Sequence, residues 1–120
     1  MFKIPVSDLL ASYSGDSKSF SFSGEVYDGY IEDIQFLKPL EFSVKIIALE
    51  DGVSVIFNDL TTEVRYEWTK FPIEIGNFER TWKTFIDPLS DADDVNRIEG
   101  GSIDLTPVIR EEIIMATMSI

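Results

Sequence analysis

Between Leu40 and Ile46 apolar and polar side chains alternate without a break, and this period of two constrains the fold more than any other stretch of the chain. Leu40, Phe42, Val44 and Ile46 fall on one face, and Glu41, Ser43 and Lys45 on the other. A helix would scatter these residues around its circumference, so the stretch is a strand with one buried face. Glu50-Asp51-Gly52 then supplies a tight turn, and Val53, Val55 and Phe57 return as the second strand of a hairpin. Asn58-Asp59 reads as the next turn. It precedes a third strand with Val64, Tyr66 and Trp68 opposite Glu63, Arg65 and Glu67. Phe71 to Ile75 leads through Gly76-Asn77 into a run from Phe78 to Ile86, where Phe78, Trp82, Thr84 and Ile86 alternate with Glu79, Thr81 and Lys83. Pro72 has no N–H for a ladder and marks a strand start or a sheet edge.

The two ends frame this meander. Ile4-Pro5-Val6 predicts a short strand, and Ser7-Asp8-Leu9-Leu10-Ala11 one helical turn capped by Ser7. Gly15-Asp16-Ser17-Lys18-Ser19 reads as a turn or mobile loop, after which Phe20, Phe22 and Val26 alternate with Ser21 and Ser23 as a half-buried strand, with Gly24 allowing a bulge or a close backbone approach. From Asp87-Pro88 to Gly100-Gly101 the periodicity stops, and the segment reads as a polar loop. Pro107 fits the first turn of a C-terminal helix, with Thr106 or Asp104 accepting from its free amides. Leu105, Ile109, Ile113 and Ala116 recur at helical spacing, widened by Val108 and Met115, while Arg110, Glu111 and Thr117 face outward. The fold class predicted is α+β: an antiparallel twisted sheet or partly closed β-barrel of about five to seven strands, with the amphipathic helix packed on it. Residues 1–120 form a single domain.

Composition removes several chemistries. The chain has no cysteine and no histidine, which excludes disulfides, thiolate zinc sites, Cys or His nucleophile–base pairs and an imidazole general base. No apolar run approaches the ~20 residues that span a bilayer, and the N-terminus lacks the apolar stretch of a signal peptide, so the expectation is a cytoplasmic protein without membrane partners. Twenty-two acidic residues against ten basic ones give a net charge of −12. That balance repels phosphate backbones and argues against direct nucleic-acid binding; it suits a basic protein partner.

The residues Asp104-Leu105 followed by Glu111-Glu112-Ile113-Ile114 resemble the end of the YceD family, named for accumulation of the large-subunit ribosomal RNA in bacteria. The order of parts is similar along nearly the whole chain: Ile4-Pro5-Val6 with Asp8-Leu9, Gly24-Glu25-Val26, the strand meander, the acidic loop, then Ile103-Asp104-Leu105. Family members carry a Cys-x-x-Cys at the end of the third meander strand, half of a zinc site. Here Trp68 and Phe71 stand in that place, and rings that cannot bind zinc would fill its volume with apolar contacts. Family chains also run on past the helix through a proline to further cysteines, where this sequence has Met118. The resemblance therefore implies a shortened, metal-free member with no cofactor. Its role would be that of a non-enzymatic accessory factor for ribosomal RNA accumulation and ribosome assembly, acting through a basic protein such as one of the large ribosomal subunit.

The acidic residues are the other source of candidates. Asp91, Asp93, Asp94 and Glu99 in the polar loop, with Asp104, Glu111 and Glu112 around the helix, are the candidate partner-binding residues. Solvated loop and exposed helix face are the plainer readings, with Arg110 available to pair across the sheet. Asp91-Ala92-Asp93-Asp94 lacks the glycine and order of a calcium loop, and adjacent carboxylates such as Glu111 and Glu112 diverge rather than form an acid/base pair. A carboxylate-dependent enzyme is thus the weakest reading. The alternative to an assembly factor is an acidic inhibitor or immunity-type protein that blocks a basic nuclease or toxin through electrostatic steering.

Overall fold

The computed structural model describes residues 2–26, 29–84 and 95–118. In chain order the elements are β1 (Lys3–Pro5), α1 (Ser7–Leu10), β2 (Ser17–Gly24), β3 (Gln35–Phe36), β4 (Leu40–Ala48), β5 (Gly52–Tyr66), β6 (Thr69–Ile75), β7 (Phe78–Lys83), β8 (Val95–Arg97), β9 (Ser102–Asp104) and α2 (Thr106–Met118). The α+β class and the helix-on-sheet architecture are as the alternation requires. Seven strands form one open sheet ordered β2-β4-β5-β7-β8, with β3 and β6 also on β5, while β1 pairs with β9 in a separate ribbon.

The sheet is organised by β5, fifteen residues long. Its first half pairs with β4 on one side and β7 on the other; its second half pairs with β3 and β6. Asn58-Asp59 is therefore not a turn, as the sequence suggested, but a bulge within this strand. The β4–β5 register slips by one residue between Glu41 and Ser43, and Asp59 carries the left-handed φ of 53°. The extra residue changes the parity of the buried side chains from Val53, Val55 and Phe57 to Leu60, Thr62 and Val64. One face thus stays apolar across a strand that a strict period of two would have flipped. The β4–β5 turn falls where expected, and Gly52 is required there: a Cβ on it would fall on the Trp82 carbonyl oxygen.

The inner face of the sheet is covered from two directions. Helix α2 packs against β6 and buries Val108, Ile109, Ile113 and Thr117. Met115, expected in the apolar stripe, is exposed, and Thr117, expected outside, is buried because its hydroxyl donates to the Ile113 carbonyl at 2.8 Å and needs no water. Over β2 and β4 lie β1 and α1, where Phe2 meets Phe22 and Phe42 edge-on at 4.8 and 5.6 Å. Ser7 does not cap α1; its hydroxyl reaches the Gly101 carbonyl instead, and the cap position is Val6. The Tyr30 hydroxyl donates to the Thr106 carbonyl at 2.6 Å and ties the β2–β3 connection to the start of α2.

The segment after β7 departs from the expected all-antiparallel meander. Val95–Arg97 runs parallel to β7, pairing with Thr81 to Lys83. Three residues are too few for a period to show in sequence, so this strand is indistinguishable there from the polar loop around it. Ser17, Lys18 and Ser19, which the sequence suggests are turn, already belong to the ladder of β2 on β4.

Candidate functional site

At the far end of β5 the chain reverses into β6 through two residues only, since Tyr66 and Thr69 are the closing pair. Glu67 and Trp68 both have positive φ, 48° and 71°. A two-residue hairpin loop of this kind is a type I′ turn, which suits the strand twist and is ordinarily built from Asn-Gly or Gly-Gly. Each L side chain held there costs roughly 1–2 kcal/mol. Trp68 gains nothing by burial in return, for it is 98% exposed. It is not the strand residue that the alternation suggests, nor does it make the apolar contacts that the resemblance implies for it. Phe71, on β6, is the half-buried member of that pair.

Trp68 stands at an open hollow of about 500 Å³ lined by Asp33, Gln35, Arg65, Tyr66 and Glu67. Asp33 too has a positive φ, 65°. Of the four described non-glycine residues with left-handed backbone, three border this hollow, and the fourth, Asp59, makes the bulge. Strained backbone concentrated at one surface position makes this hollow the candidate site. Chemically, an exposed indole and a phenol beside two carboxylates suit a lysine or arginine side chain, held by charge and by the ring faces. Arg65 at the rim opposes a second cation.

The acidic candidates are dispersed. Asp91, Asp93 and Asp94 lie outside the described residues. Glu99 is exposed and forms a bridge with Ser102; it shares a cleft of about 220 Å³ with Asp104, Lys3 and Arg97. Two carboxylates and two cations there leave no net field for a basic partner. Glu111 is exposed on α2. Glu112 is not an exposed docking residue: its side chain is 13% exposed and pairs with Arg80, which projects from the inner face of β7. The partner is Arg80 of the sheet, not Arg110. The site residues that sequence reasoning missed, Asp33, Glu67 and Trp68, carry no signal in the sequence: the two-residue loop of unsuitable composition at Glu67 and Trp68 shows only in the strand register and the backbone angles.

Asp104 has a structural task. Its Oδ1 accepts from the Thr106 N–H at 3.0 Å, at the start of α2. Partial burial pushes its carboxyl up, but the Thr106 hydroxyl and N–H, helped by Lys3, hold it below the usual aspartate value. A lowered folded-state value gives stability that is complete above the ordinary aspartate range and is lost as pH falls through the lowered value. Asp104→Asn is expected to cost about 0.3–1 kcal/mol at neutral pH. The gap between the two proteins, read as urea midpoints, is expected to narrow below about pH 4.

Among the described residues no helix is long and apolar enough to cross a membrane, and no three His, Cys, Asp or Glu side chains converge as metal ligands. Comparison of the chain with protein-family models, curated proteins and solved structures finds no match.

Proposed function

We propose that this chain is a non-enzymatic accessory protein that binds a basic protein, with the Trp68 hairpin tip as the anchor. The observation that carries the reading is the cost of the tip. A solvent-exposed tryptophan sits on backbone that disfavours it, bordered by two other residues of the same kind. Tryptophan is among the side chains that most often dominate an interface, and a rigid turn presents it without loss of loop entropy. The net charge of −12 supplies long-range attraction for a basic partner. The resemblance of the C-terminal helix and of the order of parts to the large-subunit ribosomal RNA accumulation family points to a basic protein of the large ribosomal subunit as the partner class.

Replacing Glu67→Asn together with Trp68→Gly tests the reading, because it separates stability from binding. Asn-Gly fits a type I′ turn, so the variant is expected to be more stable by about 1–2 kcal/mol. Thermal unfolding should move up by several degrees, while capture of basic large-subunit proteins by the immobilised chain is lost. A variant that is stabilised and captures them as the parent does would contradict the proposal.

A further inference from the structure

The edge of the sheet at β2 is unguarded. It is eight residues long, in unbroken register with β4, free of proline, and carries one charge, Lys18. Natural edge strands are ordinarily blunted by charges, prolines or bulges. Ala48 N–H donates to the Asp16 carbonyl, and Leu49 N–H to the Gly52 carbonyl on the opposite side of β4. The antiparallel ladder alternates, so Lys18, Phe20 and Phe22 bond toward β4 while the N–H and C=O groups of Ser17, Ser19, Ser21 and Ser23 point away from it. Among the described residues no strand pairs with that side.

The two faces beside this edge differ. On the inner face Phe20, 41% exposed, and Phe22 border a cleft of about 190 Å³ closed by Phe2, Ile4, Val44 and Leu105, with Lys3 at its rim. On the outer face the Ser23 hydroxyl donates to Glu41 Oε1 at 3.0 Å, which places that carboxylate over the edge strand, and Asp59 lines the same depression. Further along, Lys45 lies opposite Ser19, and Lys18 is held by Asp8 and the Pro5 carbonyl.

We infer that β2 is a strand-addition site for an extended segment of the basic partner, one that alternates apolar residues for the Phe20–Phe22 cleft with lysine or arginine set over Glu41. The backbone groups of the four serines supply the ladder, the cleft selects side chains at every second position, and the carboxylates select charge. A basic residue opposite Ser23 lies two strand spacings, about 10 Å, from Glu41, a gap that the two long side chains close across the small serine. Lys45 fixes the register, since a second cation opposite Ser19 would be repelled. The inference rests on the reading that the partner is basic, and adds where and how a segment of it binds.

The test uses the whole chain and a blocked peptide, Lys-Val-Lys-Val-Thr-Val-Thr, beside its glutamate-for-lysine counterpart. Amide exchange at Ser19, Ser21 and Ser23 is expected to slow with the lysine peptide, with affinity roughly tenfold weaker for the glutamate peptide. Ser21→Pro removes an outward N–H without touching the β4 ladder, so it should abolish the protection with little change in thermal stability. Should that variant fail to fold, Glu41→Gln is expected to erase the preference for lysine over glutamate. Unchanged exchange at the three serines, equal binding of both peptides, or self-association of the chain through β2 would each overturn the site. Capture of basic large-subunit proteins that survives Ser21→Pro would sink the edge site and leave the proposed function standing. Peptide binding at β2 by a chain that captures no such protein would do the reverse.

Discussion

Trp82→Ala is expected to remove a large share of the protein's folding stability. Trp82 is 2% exposed, sits on β7 opposite Val53, and has Asn96 of β8 on its other side. Truncating a buried tryptophan costs about 3–5 kcal/mol, through lost transfer energy and the cavity left behind. A domain of this size has about 5–15 kcal/mol in all. The effect is enlarged by position, because Trp82 lies on β7 between β5 and β8, inside the sheet. Trp82→Phe should retain most of the stability, and a urea titration followed by far-ultraviolet circular dichroism separates the two. The matching change at Trp68, which touches solvent on nearly every side, should leave the midpoint where it is.

The second large effect is expected at Arg80. Its guanidinium comes from the inner face of the sheet, lies 5.3 Å from the centre of the Phe78 ring, and pairs with Glu112 on α2. The two side chains are 30% and 13% exposed, so the pair is partly screened but far from a surface ion pair. Arg80→Ala leaves the Glu112 carboxylate at the sheet–helix interface without a counterion and is expected to cost about 2–4 kcal/mol, somewhat under the figure for a fully buried pair. Glu112→Ala alone leaves a more exposed arginine and should cost less. The double variant should lose less than the sum of the singles, and Arg80→Met with Glu112→Leu should recover most of the loss. Additive losses would show that the pair is not coupled and that α2 is held by its apolar face alone.

How far the sequence carried these conclusions differs from element to element. The β4–β5 hairpin was legible because one face of it is buried along its whole length, and Leu40, Phe42, Val44 and Ile46 have no alternative register. At Asn58-Asp59 the same pattern misled, since a bulge and a turn share the local signature of an aspartate with positive φ. Only the pairing of Thr61 with Glu41 beyond it decides between them. In the last turn of α2 the buried stripe continues to Thr117, because a threonine that satisfies its own hydroxyl counts as apolar for packing. The parallel strand β8 depends on the ladder of β7 and has no local period to read.

The candidate site was less legible than the fold. Counting carboxylates identified a charge but not a surface. Glu112 proved to be an internal counterion, Asp104 a helix-terminal acceptor, and Glu99 one member of a mixed-charge cleft. Nothing in the order Tyr66-Glu67-Trp68-Thr69 announces that both central residues are left-handed, since composition argues against the turn they make. The misfit is the information, and it becomes visible only when φ and exposure are known together.

Recognition of a basic protein is tested most directly by co-purification of the tagged chain from a bacterial lysate at low salt, with the bound proteins identified by mass spectrometry and then eluted by a salt gradient. The account predicts basic proteins of the large ribosomal subunit, retained through Trp68 and released as salt rises. Retention of no such protein, or binding that neither salt nor loss of Trp68 weakens, would contradict it.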